Sequence, residues 1–123
     1  MPQPETGQRS ETVRRANLSA IVRALHARGP MSRSEIVART GLTRSAIRGH
    51  VGELVTAGLV TEERPAPLGM PGRPSPVVSL DRERVSVLAL EVAVDSLAAA
   101  HVGPAGEVIE LQRVDRPRGH TTV

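Results

Sequence analysis

Residues 32–60, SRSEIVARTGLTRSAIRGHVGELVTAGLV, decide the fold of this chain. They read as a short helix, a tight turn, a second helix and a glycine stop, which is the grammar of a helix-turn-helix. Ser32 is placed to cap the first helix, and Glu35 stands three residues later, as a reciprocal capping box requires. Ile36 and Val37 give that helix a short apolar stripe, and Gly41 ends it in a conformation that costs glycine little. Thr43 is a second N-cap. Ile47, Val51 and Leu54 then recur at i, i+4 and i+7, one face of a helix that Gly58 closes.

Working outward, an amphipathic helix is expected over about 12–28, with Leu18, Ile21, Val22 and Leu25 as its buried stripe and Gly29-Pro30 as its stop. After residue 58 come two β-prone runs, LVTEER (59–64) and PVVSL (76–80), joined by the proline- and glycine-rich PAPLGMPGRPS. Three helices followed by a hairpin with a stiffened tip make a winged helix-turn-helix. From Val85 the texture changes to VSVLALEVAV (85–94), SLAAAHV (96–102) and EVIELQRV (107–114), with turns at Asp95 and GPAGE. An antiparallel meander is predicted there. Three strands without an aromatic residue do not close a sizeable core, so this part reads as the start of a larger domain. The expectation is an α+β chain: residues 1–11 a disordered tail, 12–81 a winged helix-turn-helix domain, and 82–123 the incomplete beginning of a second domain.

Composition narrows the function classes. There is no cysteine, which excludes disulfides and thiolate metal sites. No apolar run approaches the roughly 18 residues of a membrane span, and the N-terminus is polar rather than signal-like. A cytoplasmic protein without membrane contact is expected. Without Phe, Trp or Tyr the chain lacks the aromatic platforms on which single-stranded nucleic acids stack. All 16 basic residues are arginine, a planar fork suited to phosphates and guanine edges. Residues 1–60 hold nine Arg against four acids, +5, whereas residues 61–123 hold seven Arg against nine acids, −2. The positive excess sits on the helix-turn-helix half, as a DNA-facing surface needs.

Stepping about 100° per residue from Ile47 puts Ser45, Gly49 and Gly52 on the face opposite the buried stripe, with Arg48 at its edge. Thr43 and Arg44 sit at the N-terminal end, where N–H groups favour a phosphate. Arg48 is the expected base reader, since bidentate arginine–guanine pairing is the commonest specific contact. Gly49 and Gly52 are read as allowing close approach of backbone to DNA. Arg33 and Arg39, on the first helix of the motif, are assigned to phosphates. Arg64 and Arg73 border the wing, and Arg73, in GMPGRP, is placed to enter a narrow minor groove. His50 is read as a boundary residue. No catalytic group, cofactor or metal site is expected.

The order of these segments resembles the ROK family (repressors, open reading frames and sugar kinases). The resemblance is carried by NLSAIVRALHARGPMSRSEIVARTGLTRSAIRGHVGELVTAGLV, GRPSPVVSL and VLALEVAVDSLAAAHVGPAGEVI, and runs from about Val13 to Val114. The helix-turn-helix alone would also suit regulators similar to the MarR type. The resemblance implies the N-terminal portion of a repressor of sugar-metabolism genes, with 82–123 as the start of an actin-like ATPase domain. It further implies a homodimer, duplex DNA as partner, and a sugar or sugar-phosphate effector bound beyond Val123. Catalytic family members carry Asp-x-Gly-Gly-Thr in the first hairpin of that domain. Here Glu91-Val92-Ala93-Val94-Asp95 lacks both glycines and the hydroxyl, so nucleotide is not expected to bind there. A sugar-kinase fragment, or a winged helix used for protein contacts, are the competing readings.

Overall fold

The computed structural model describes residues 5–66, 69, 72 and 75–116. The chain divides into two compact units, Met1–Asp81 and Arg82–Val123.

The first unit runs α1 (Glu5–Arg28), β1 (Met31–Ser32), α2 (Arg33–Thr40), α3 (Arg44–Thr56), β2 (Val60–Glu63) and β3 (Val77–Leu80). It is a winged helix-turn-helix. Its three-stranded antiparallel sheet has the order β1-β3-β2, so the two wing strands are joined by a third strand entering from the loop before α2. β1 is absent from the sequence-based expectation because two residues carry no periodicity.

Helix α1 begins at Glu5 rather than near residue 12, so residues 5–11, expected as a disordered tail, are helical. Local bonds support the helix from Gln8 onward. The Glu11 carboxylate receives Arg14 Nε at 2.8 Å and Arg15 Nε at 2.9 Å, and the Thr12 hydroxyl donates to the Gln8 carbonyl at 2.9 Å. Such i,i+3 and i,i+4 pairs support the N-terminal segment of the helix, which precedes its apolar stripe. The hydrogen bonds from Arg14 and then Arg15 hold the Glu11 carboxyl down at about 2.

The caps lie where the sequence puts them. Ser32 Oγ accepts from the Glu35 N–H at 3.3 Å while the Ser32 N–H donates to Glu35 Oε2 at 2.7 Å, closing the capping box. Those bonds, the one from the Ser32 backbone foremost, lower the pKa of Glu35. Gly41 follows α2 at φ 70°, and Thr43 Oγ1 accepts from the Ala46 N–H at 3.1 Å to start α3. At the other end, Leu59 N–H reaches the Leu54 carbonyl and Gly58 N–H the Val55 carbonyl, each at 3.0 Å. With Gly58 at φ 72°, this paired closure satisfies carbonyls that the last turn would leave orphaned.

One aliphatic core joins every element of the unit. Ile21 and Leu25 come from α1, Met31 from β1, Ile36 from α2, Ile47, Val51 and Leu54 from α3, Val60 from β2, and Val78 and Leu80 from β3. Leu18, Val22, Val37 and Leu42 pack against them half-buried. Each fully covered side chain of this size contributes about 1.5–3 kcal/mol.

The second unit is an antiparallel meander of β4 (Val87–Val92), β5 (Ser96–Val102) and β6 (Val108–Asp115) in sequential order. Register places Val92, Leu97 and Val114 in one cross-strand row, and Ala89, Ala100 and Leu111 on the opposite face. Both faces therefore carry aliphatic side chains, and every residue of β4 and β6 is exposed. The β5–β6 turn closes through the Gly106 N–H to the Gly103 carbonyl at 3.0 Å. The Glu107 carboxylate folds over that turn, accepting the Ala105 N–H at 2.8 Å and Arg82 Nε at 2.7 Å.

Candidate nucleic-acid interface

The buried stripe of α3 fixes the direction of its other side. With Ile47, Val51 and Leu54 in the core, Arg44, Ser45, Arg48, Gly49 and Gly52 are all exposed. Neither Arg44 nor Arg48 makes an ion pair among the described residues, so both guanidinium groups keep their donors available. A Cβ added at Gly49 or Gly52 would meet nothing within 4 Å, so packing inside the protein does not require glycine at either place. Thr43 is exposed, with its hydroxyl oxygen occupied as the cap of α3.

Two contacts hold α3 to α1 beside this face. Asn17 Nδ2 lies 3.3 Å from His50 Nε2, and Arg14 forms an ion pair with Glu53. His50 is half-buried and also stands 3.7 Å from Glu53, consistent with a residue at the rim of the buried face. Arg39, in the last turn of α2, and Arg64, immediately after β2, are exposed. Arg73 lies outside the described residues.

Arg33, expected to contact phosphate, also has a partner inside the protein. Its Nη2 donates to Glu62 Oε2 at 2.6 Å, tying the first residue of α2 to β2, so this guanidinium is engaged within the protein. The signal for that partner was present in the strand itself. Val60 and Glu62 share a face by alternation, and a carboxylate beside a buried valine calls for a cation.

In the meander, the stretch Glu91–Asp95 turns without glycine, the Ala93 N–H donating to the Ser96 carbonyl at 2.9 Å. No residue in it has positive φ, and Asp95 is exposed at the tip. Ser96 is buried and its hydroxyl accepts from Arg113 Nη2 at 2.8 Å. Among the described residues no helix is long and apolar enough to cross a membrane, and no group of three His, Asp or Glu side chains is placed to hold a metal ion.

Residues 19–63 match the helix-turn-helix domain family. That match takes in the last part of α1, both helices of the motif and β2. No curated protein matches the chain. Among solved structures, the chain is similar to a ROK family transcriptional regulator, a homolog of the E. coli MLC protein, with a TM-score of 0.59 and 21% identity. The alignment covers 85% of this chain and 26% of that one, so the chain spans about a quarter of the length of the regulator it matches. The fold, meander included, is that of a segment of such a regulator.

Proposed function

We propose that this chain is the DNA-reading portion of a transcriptional regulator of the ROK type, acting on duplex DNA through the exposed face of α3. The observation that carries the reading is the composition of that face. The second helix of a helix-turn-helix presents two arginines with no ion pair among the described residues, beside Ser45, Gly49 and Gly52, small enough to let its backbone approach the groove floor. Arg48 reads a guanine edge with its fork. Thr43 and Arg44 hold a phosphate at the N-terminal end of α3, where N–H groups point outward. Arg39 and Arg64 contact the backbone on either side, and Arg73 extends the wing contact. Regulation resides in the part of the protein these residues do not include. A sugar or sugar phosphate bound there sets operator affinity, and a pair of chains reads two half-sites.

Selection of binding sites from random duplexes tests the assignment. Arg48→Ala should lose about 1–3 kcal/mol on the selected site and blur preference at one base pair. Equal weakening on selected and random duplexes would remove Arg48 from base reading and leave it a phosphate contact.

A further inference from the structure

The Arg33–Glu62 pair joins the two parts of the unit that flank the DNA-facing helix. Arg33 directly follows β1, and Glu62 lies on β2 at the far side of β3. Met31, Val78 and Glu62 form one cross-strand row, so the guanidinium reaches across the central strand to the other edge. Val60 and Glu62 share the face that Val78 and Leu80 present to the core. The Glu62 side chain is accordingly only 20% exposed.

The bond is a single-point contact. Nη2 meets Oε2 at 2.6 Å, while Arg33 Nε and Glu62 Oε1 are buried without a hydrogen-bond partner among the described residues. An ion pair with orphaned buried atoms is a poor source of global stability, and an apolar pair of similar volume can keep the unit folded. What it supplies is direction, because a short charged hydrogen bond fixes angle as well as distance. The chain leaves β2 one residue after Glu62, and Arg64 is the first residue beyond the strand.

We propose that Arg33 and Glu62 are a positioning pair that sets the path of the chain out of β2 and thereby brings Arg64 to the DNA backbone. The proposal rests on the DNA-binding reading above. Arg33 then acts on DNA affinity through the wing and touches no phosphate itself.

The test is a mutant cycle on the full chain, read by duplex binding. In the parent, Arg64→Ala should weaken binding about fivefold near physiological salt, the effect of one phosphate contact, and lower the salt slope by about 1. In the Arg33→Met/Glu62→Leu background, whose fold is checked by thermal melting, Arg64→Ala should cost less than about twofold. The charge-swapped Arg33→Glu/Glu62→Arg chain should restore the larger effect, and Arg33→Gln/Glu62→Gln replaces the apolar pair, with the same expected loss, if that pair does not fold. A penalty at Arg64 that persists unchanged in the apolar background overturns the proposal, as does the absence of any penalty in the parent. A parent chain without duplex affinity would instead sink the DNA reading. The pair is then judged by amide exchange, which should quicken about tenfold across Val60–Glu63 in the apolar variant while Ile47 and Val51 hold. Unchanged exchange overturns it.

Discussion

In the helix-rich unit ten aliphatic side chains, from Ile21 to Leu80, are covered by one another. In the meander Val87, Leu88, Leu90, Val92, Leu111 and Val114 stand exposed, and the buried polar side chain is Ser96. Apolar content does not separate the two units; periodicity does. Residues 47, 51 and 54 place apolar groups on one side of a helix whose other side is left polar or bare, so that unit closes its own core and keeps a free face. The strands of the meander carry aliphatic groups on both faces, the pattern of a sheet covered on both sides. One unit closes a core of its own, and the other is a sheet that carries exposed aliphatic groups on both faces.

The comparison breaks most readily through stability. Ile47→Ala removes the centre of the first core and should cost about 2–5 kcal/mol in urea unfolding. Leu90→Ala, at a position 70% exposed, should change stability by no more than about 0.5 kcal/mol. Equal losses would mean that the meander has a core of its own and that the contrast is false. A smaller effect sharpens the free face of α3. Gly49→Ala should stabilise the helix by about 1 kcal/mol, since its Cβ meets nothing within 4 Å. The same substitution should weaken duplex binding. A variant both more stable and equally tight would show that the glycine is a tolerant surface position rather than room for DNA.

Much of the first unit was legible because its punctuation is local. Ser32 with Glu35, Gly41, Thr43 and Gly58 each act within three or four residues, and all occupy the places read from sequence. Failures came where structure is decided elsewhere. β1 exists because Met31 and Ser32 find Val78 and Val77, far along the chain. Ahead of its apolar stripe, helix α1 is supported by pairs among Gln8, Glu11, Thr12, Arg14 and Arg15 that leave no apolar signature. Arg33 reads as a phosphate ligand from its place in the motif alone, and its partner Glu62, 29 residues away, lies outside that local pattern. Within α3, by contrast, helical geometry alone sorted Ser45, Arg48, Gly49 and Gly52 from the core, because a stripe of three buried residues leaves little freedom.

Salt titration of binding to duplex DNA tests the central claim most directly. If α3, Arg39 and Arg64 face the phosphates, log K should fall linearly with log salt, with a slope of about −2.7 to −3.6 for three to four neutralised phosphates. Single strands should bind more weakly, as expected of a chain without aromatic side chains. Absence of duplex affinity at low salt, or an affinity that does not change with salt, would contradict the reading of this face as a DNA interface.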